Sequence, residues 1–298
     1  MDLLFLQSLL LVVDSGSIAQ AAREQQLTPA ALRQRVSALE RELGAPLLIR
    51  SGHTSLPTQV CMDLMPRARH MLREWALLKE DVDSSGISGQ LKIGAISTAL
   101  TGLMPKALKA LAIQAPKLTP FLEPGSSVDL YNALIAEQLD AIITVAPPFA
   151  IPKSIHGVVL RKEPLVLISA KKSTSLPKHQ LASELYIRYD AASWGGRFAQ
   201  QYIADQRLAP RLLCDLDGLE AIALMAAQGL GVSLVPQWPG LSDLASKLQI
   251  TPIAGQKYHR EIVLMVRQPS LQVEKIKLLI SICREASKNA LSASVKPA

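Results

Sequence analysis

The chain has 298 residues, 49% of them hydrophobic and 19% charged, which suits a folded protein of two or three domains and excludes an intrinsically disordered one. Its three cysteines are far apart in sequence, so we expect neither a disulfide framework nor a zinc site, and a reducing compartment fits them. The net charge of +7 does not argue for DNA binding by the N-terminal region, because residues 1–90 hold nine basic and ten acidic side chains.

The first segment, residues 3–13, is strongly apolar with helical spacing and is predicted to be a core helix that ends near Gly16. Ala19-Gln20-Ala21 resembles a signal-peptidase site. However, the residues before the apolar run include the acidic Asp2 and no Lys or Arg, whereas a secretory signal begins with a positively charged segment. The run is also too short to span a bilayer. We therefore expect a cytoplasmic protein with no membrane segment.

Two further helices with capping signals follow. Ser17 is a natural N-cap for a helix over residues 18–25, and after a short turn Thr28 caps a third helix with Pro29 at its first position. Gly44 is expected to end this third helix. Its predicted buried stripe consists of Leu32, Val36, Leu39 and Leu43.

A hairpin, a long helix and a linker are predicted next. Residues 47–50 read as a strand, and Ser51-Gly52-His53 supplies the turn of a wing-like hairpin. A helix is expected from Thr58 to about Val82, followed by a linker over residues 84–89. The apolar side of this helix exceeds what the small N-terminal domain could cover, so we interpret it as a dimerisation helix. That side comprises Val60, Leu64, Met71, Trp75, Leu78 and Val82.

Beyond Gln90 short apolar runs alternate with helical segments. This alternation predicts βα units and a mainly parallel sheet with both faces covered. The predicted strands are residues 91–96, a run near Phe121, and residues 141–145, 165–168 and 232–235, with helices near 105–114 and 218–228.

The second and third helices form a candidate helix-turn-helix, in which the third would enter the major groove of DNA. Arg33, Gln34 and Ser37 lie opposite the apolar stripe, with Arg35 towards its edge. Arg can bond guanine and Gln adenine through two hydrogen bonds each, and Thr28 can hold a phosphate at the helix start. A solvated helix face would carry the same charges, but the capped turn and the small Ala21-Ala22 pair favour DNA binding.

An ordered set of motifs over nearly the whole chain resembles LysR-type transcriptional regulators. In chain order the motifs are Gly16-Ser17-Ile18, Ala21-Ala22, Thr28, Ala31-Leu32, Leu39-Glu40, Leu43-Gly44-Ala45-Pro46-Leu47, Arg50, Thr58, Pro66, Gly89-Gln90-Leu91-Lys92-Ile93-Gly94, Leu139-Asp140-Ala141-Ile142, and Gly229-Leu230-Gly231-Val232 with Pro236. The resemblance implies an α/β chain with an all-α winged helix-turn-helix, a linker helix that pairs protomers, and a two-lobed effector domain similar to periplasmic binding proteins.

By that resemblance the domains are residues 1–58 (DNA binding), 59–89 (linker helix and hinge) and 90–298 (effector binding). Lobe one would span about 90–164 and 266–298, and lobe two about 165–265. The implied partners are double-stranded promoter DNA, a small-molecule effector in the interlobe cleft, and further copies of the chain in a dimer or tetramer, with RNA polymerase as a further candidate.

The sequence departs from the family pattern at several positions. The family commonly has Ser-Gln-Pro where this chain has Thr28-Pro29-Ala30, and Ser-Arg-Gln where it has Arg33-Gln34-Arg35. Pro57, Cys61 and Glu137 also replace the usual Leu, Gly and Gly. Base specificity therefore cannot be carried over from the family. The predicted DNA-contacting residues are Ser17, Thr28, Pro29, Ala30, Arg33, Gln34, Arg35, Ser37, Arg50 and His53.

An effector is expected beyond the carboxyl ends of the strands, where α/β folds bind ligands. Ser97, Thr98 and Thr101 follow one predicted strand, and Gly125 and Ser126 follow another. Each could instead be an ordinary capping or turn residue. The resemblance adds Ala146, Pro147, Ser193, Trp194, Gly218 and Leu219. An anionic effector is the default expectation.

Two other classes of protein stay open as alternatives. A secreted solute-binding protein of similar fold would use the first residues as a signal, but it leaves residues 32–82 unexplained. An enzyme would need a catalytic constellation, and no nucleophile elbow, P-loop or dinucleotide fingerprint occurs in the sequence. We therefore expect no catalytic residue, no cofactor and no metal.

Overall fold

The computed structural model describes residues 2–51, 54–80, 87–170, 176–253, 255, 257–270 and 272–292. The chain divides into two compact units, Met1–Ser84 with Ala136–Gln138, and Ser85–Ile135 with Leu139–Ala298. No helix in the described residues is both long enough and apolar enough to cross a membrane.

The first unit is a bundle of helices with a two-stranded wing. Its elements are α1 (Leu3–Ser15), α2 (Ile18–Glu24), α3 (Pro29–Leu43), β1 (Leu48–Ser51), β2 (Thr54–Pro57) and α4 (Gln59–Glu80). The predicted helices and the antiparallel hairpin of β1 and β2 are confirmed. The predicted turn residue His53 and the linker residues 84–86 lie outside the described part of the chain.

Local capping explains where these helices begin and end. The Ser17 hydroxyl accepts the backbone N–H of Gln20, and the Thr28 hydroxyl accepts that of Ala31 at 3.1 Å. Gly44 ends α3 with a φ of 69°, which glycine adopts without steric cost. Leu32, Val36 and Leu39 are buried as predicted. The prediction for Leu43 is wrong, because this last residue of α3 lies outside the apolar core and is 42% exposed.

Helix α4 has a buried side and an exposed apolar side. Cys61, Met65 and Ala68 pack into the core of the first unit, while Met71 and Trp75 remain 42% and 47% exposed. Thr58 starts the helix by accepting the Cys61 N–H at 3.1 Å. The side chain of Leu78, and Val82 altogether, lie outside what the structure describes.

The second unit alternates strands and helices. In chain order its elements are β3 (Gly89–Ala95), α5 (Ser97–Gly102), α6 (Met104–Gln114), β4 (Leu118–Pro124), α7 (Ser127–Ile135), β5 (Ala141–Val145), β6 (Ile155–Ala170), α8 (Pro177–Ser183), β7 (Leu185–Tyr189), α9 (Arg197–Asp205), β8 (Arg211–Leu216), α10 (Leu219–Ala227), β9 (Ser233–Pro236), β10 (Leu248–Pro252), β11 (His259–Arg267) and α11 (Val273–Ser292).

The larger sheet of this unit is mixed, so the prediction of a mainly parallel sheet is wrong. Strands β4 and β5 pair parallel with β3, and β7 pairs parallel with β8. The long strands β6 and β11 pair antiparallel with each other and with β5, β9 and β10. The reason is that β6 carries the chain from one apolar core to another and β11 brings it back, so these crossings run in opposite directions.

Two groups of cores define the lobes of this unit. We call lobe one the part around the core formed by β3, β4 and β5 with α6, α11 and residues 262–266. Lobe two is the part around the cores that lie between Leu165 and Tyr258. Trp194 departs from this division, because its chain segment belongs to lobe two but its ring packs in the core of lobe one.

Candidate nucleic-acid interface and ligand cavity

One face of α3 carries the polar residues expected at DNA. Ala30, Arg33, Gln34 and Ser37 are all exposed, and their spacing of three, four and seven residues places them on the same side of the helix. Thr28 and Pro29 are exposed at its N-terminal end. The apolar residues of α3 lie on the opposite side, so this face is open to solvent.

A groove of about 470 Å³ runs between this face, the start of α2 and the wing. Ser17, Arg33 and Ser37 line one part of the groove, and Thr54 and Ser55 line the wing side. The backbone N–H of Ser55 bonds the carbonyl of Gly16 at 3.1 Å, which ties the wing to the helix-turn-helix. The groove thus combines a basic side chain and several hydroxyls with the carboxylate of Glu40.

Arg35 points towards the interior of the helix bundle. Its Nη1 lies 3.3 Å from the Ser8 hydroxyl and 3.4 Å from the Gln25 side-chain oxygen, and its guanidinium lies over the Phe5 ring. Arg35 therefore braces α3 against α1 and α2. The Arg50 side chain and all of His53 lie outside the described residues.

A cavity of about 460 Å³ lies between the lobes of the second unit, at the carboxyl ends of β3, β4, β7 and β8. The predicted effector residues that line it are Ser97, Thr98, Gly125, Ser126, Ser193, Trp194, Gly218 and Leu219. Thr101, Ala146 and Pro147 are not part of its wall. Ala146 accepts a hydrogen bond from Arg197 at 3.3 Å, and Thr101 bonds the Ser97 carbonyl at 3.2 Å.

The hydroxyls at the cavity already have protein partners. The Ser97 hydroxyl bonds the Glu220 carboxylate at 3.3 Å, which joins α5 of lobe one to α10 of lobe two. Ser126 bonds both the carboxylate and the backbone N–H of Asp129, so it has the capping role that was the alternative at that position. Thr98 is buried and accepts a hydrogen bond from Arg260 at 3.0 Å.

Arg260 is a cavity residue that the sequence analysis missed. It is 2% exposed, and its guanidinium bonds Glu163 at 2.7 Å and the Tyr189 hydroxyl at 3.3 Å. Glu163 is fully buried and also accepts Arg161 at 2.6 Å. The one signal in the sequence is the spacing Arg161-Lys162-Glu163, which places two charges on one side of a strand but does not reveal that this side faces inward.

Asp190 and Asp217 are two further residues that the sequence analysis missed. Asp190 follows β7 directly and Asp217 follows β8, and both line the cavity. Partial burial raises the pKa of Asp217 above the ordinary value and the charge of Asp190 adds to this shift, while Ser193 and the charge of Arg260 oppose it. The charged form of the Asp217 carboxyl is therefore less favourable in the folded protein than in water.

Trp194, which lines the cavity, belongs to a cluster of three aromatic rings. Trp194 contacts Tyr131 and Phe149 edge to face, with ring centroids 5.7 and 5.6 Å apart. The arrangement lets Trp194 link the lobes beside the cavity.

In the described residues no group of three or more His, Cys, Asp or Glu side chains could hold a metal ion.

Comparisons with known proteins assign both units. The family described as "LysR substrate binding domain" matches residues 84–288, and "Bacterial regulatory helix-turn-helix protein, lysR family" matches residues 3–61. The HTH-type transcriptional regulator IlvY of Escherichia coli (strain K12) is 25% identical over 245 residues, which cover 80% of this chain and 82% of that protein.

Two solved structures have a similar fold. A single-residue variant of full-length OxyR from Pseudomonas aeruginosa superposes with a TM-score of 0.70 at 22% identity, covering 95% of each chain. Full-length CbnR complexed with its target DNA superposes with a TM-score of 0.63 at 19% identity, covering 96% of this chain and 100% of that one.

Proposed function

Because this chain belongs to the LysR family of bacterial helix-turn-helix regulators, we propose that a small molecule bound in the cavity between the lobes controls its binding to promoter DNA. We assign residues 1–58 to DNA binding, 59–89 to the linker and 90–298 to the effector. The relatives are transcriptional regulators rather than enzymes. Promoter DNA in bacteria lies in the cytoplasm, and we place the protein there.

The DNA-binding part of the proposal rests on one observation, the exposed face of α3. This face carries Arg33, Gln34 and Ser37. Two of them, Arg33 and Ser37, also line the groove beside the wing. We assign base contacts to Arg33 and Gln34, and phosphate contacts to Ser17, Thr28 and the wing residues Arg50 and His53. Arg35 acts as a positioning residue, since its bonds go to α1 and α2. CbnR, which has the same fold, has been solved in complex with its target DNA.

The effector part of the proposal rests on the cavity and its buried guanidinium. Arg260 and Thr98 offer a positive charge and a hydroxyl to a bound molecule, and a carboxylate or another anionic group suits both. Ser97 and Glu220 join the lobes at the same cavity, so a molecule bound there can change how the lobes close. We also propose that copies of the chain associate through α4 and that the protein contacts RNA polymerase.

The test is a gel-shift titration of Arg33→Ala on the protein's own promoter at fixed salt. We expect binding to weaken by about 1–3 kcal/mol and preference at one base pair to relax, because Arg33 would lose a bidentate contact to a base. Arg67→Ala is the control, because it removes an equal charge from an exposed position on α4. If Arg33→Ala and Arg67→Ala bind alike and with unchanged base preference, Arg33 does not contact a base.

A further inference from the structure

The charged groups around the effector cavity do not match a purely anionic ligand. Of the described residues that line it, three are charged, namely Arg260, Asp190 and Asp217. Their formal charges add up to one negative charge. The cavity therefore holds one guanidinium against two carboxylates, and a ligand with negative charges alone would leave one of the carboxylates without a compensating cation.

Asp190 and Asp217 lie side by side at one edge of a small parallel sheet. Strands β7 and β8 pair in the register Tyr189↔Leu216, so the two aspartates are the next residue of each strand. The backbone N–H of Asp190 bonds the Leu216 carbonyl at 3.1 Å, and neighbouring strands lie about 4.8 Å apart. The two carboxylates thus belong to one wall of the cavity, on lobe two.

Within the described residues these carboxylates form no ion pair. No Lys, Arg or His in that part of the chain forms an ion pair with Asp190 or Asp217, which contact the Ala192 N–H and Ser193. The charge of Arg260 acts on Asp217 from a longer distance and lowers its pKa slightly, as the smallest of the effects on it. The neighbouring pair on the same strands is different, because Asp215 forms an ion pair with Arg188 outside the cavity. Asp215, outside the cavity, therefore has a cationic partner, whereas the two aspartates that line the cavity have no ion-pair partner among the described residues.

The opposite charge is presented by Arg260. A guanidinium has five N–H groups, and three of those of Arg260 are directed at Glu163, Tyr189 and Thr98. Glu163 is shared with Arg161, so one buried negative charge faces two buried positive ones. This leaves N–H groups of Arg260, and the part of its charge that Glu163 does not balance, for an anionic group on that side of the cavity.

We propose that the effector is a zwitterion, with its cationic group held by Asp190 and Asp217 and its anionic group held by Arg260. An amino acid or a similar short aminocarboxylate has this chemistry. Ile96, Leu100 and Val128 supply an apolar wall for the rest of the molecule. The raised pKa of Asp217 agrees with this, because a ligand cation would offset the partial desolvation and the repulsion from Asp190 that raise it. The inference rests on the proposed effector site and adds the class of ligand.

The first experiment compares matched ligands by thermal shift and calorimetry on the full chain. The probes are the standard L-amino acids, and for each of them the carboxylate without the amino group and the amine without the carboxyl group. We expect at least one amino acid to raise the Tm and to bind about tenfold or more tightly than both of its fragments. A carboxylate that binds as tightly as its amino acid would overturn the zwitterion and leave the anionic effector site intact. If neither amino acids nor carboxylates bind, the effector site itself is wrong.

The second experiment removes the two charges and keeps the shape of the side chains. Asp190→Asn with Asp217→Asn should weaken amino-acid binding about tenfold or more, while binding of the matched carboxylate stays equal or becomes tighter. Asp243→Asn is the control, because Asp243 is an exposed aspartate of lobe two outside the cavity. An equal loss for the amino acid and its carboxylate, or no loss for either, would contradict the assigned roles.

Discussion

Asp217 shows how a residue proposed to bind the ligand can lower the stability of the ligand-free protein. Its carboxylate forms no ion pair in the described residues, and burial raises its pKa above the ordinary value of 3.8. Protons then bind the folded state more tightly than the unfolded state. Between pH 3.8 and the raised folded-state pKa, stability therefore falls as the pH rises, and the cost is fully present above that folded-state pKa.

Asp217→Asn should therefore raise the Tm of the ligand-free protein at pH 7. The amide is neutral in both states, so the partial desolvation of the charge and its repulsion by Asp190 disappear, and these outweigh the lost attraction to Arg260. The gain should shrink as the pH falls towards 3.8, where the wild-type carboxyl becomes protonated too. Differential scanning calorimetry at several pH values measures it. A Tm gain that does not depend on pH would show that the charge is not the cause, and Asp243→Asn should give no gain.

Residues with local roles could be predicted from the sequence, and residues with distant partners could not. Ser17, Thr28 and Gly44 were identified because a cap depends on residues three or four positions away. Arg260 bonds Thr98, which lies 162 residues earlier in the chain, and no local pattern encodes such a contact. Arg35 is a second example, because local spacing predicts a DNA contact, whereas its side chain bonds Ser8, 27 residues earlier in the chain.

Among the elements, β6 and β11 carry the most unusual feature of the core, a buried cluster of charges. Glu163 and Arg260 are directly opposite in the antiparallel register, and the next pair along is Lys162 with Glu261. Successive side chains of a strand point to opposite faces. One pair is therefore buried at the cavity, while the other is a partly exposed ion pair at 2.9 Å.

Glu163→Gln should destabilise the protein by about 3–5 kcal/mol, because it leaves two buried guanidiniums without a negative partner. Glu261→Gln, on the other face of the same strands, should cost about 0–1 kcal/mol. Urea unfolding followed by tryptophan fluorescence compares the two variants with the wild type. Equal effects of the two substitutions would mean that the buried cluster contributes no more than a surface ion pair.

The direction of these strands could not be predicted from local sequence. The alternation of short apolar runs with helical segments predicts the positions of β3, β5 and β9. It does not show which strands become neighbours in the sheet. Residues 165–168 read as a short strand after a loop, whereas the chain runs through both lobes as one strand, Ile155–Ala170. Only the family resemblance pointed to two crossings of the chain between the lobes.

For the whole molecule, the exposed apolar side of α4 is the feature that a single chain does not explain. Val60, Met71 and Trp75 are 45%, 42% and 47% exposed, and their spacing of eleven and four residues places them on one side of the helix. Leu64, predicted on the same side, packs partly against the core of the first unit. This side was predicted from spacing alone. A partner helix from a second protomer would remove it from water.

Met71→Glu should therefore dissociate the protein in solution and weaken its binding to promoter DNA. A buried carboxylate at the centre of a helix pair is costly, and a monomer contacts one half-site where a dimer contacts two. Sedimentation velocity and a gel-shift titration measure the two effects. Met71→Lys is the matched variant, since its positive charge cannot repel DNA and its effect on DNA binding must come from lost pairing. If both variants keep the mass of the wild-type assembly, α4 is not the surface through which protomers pair.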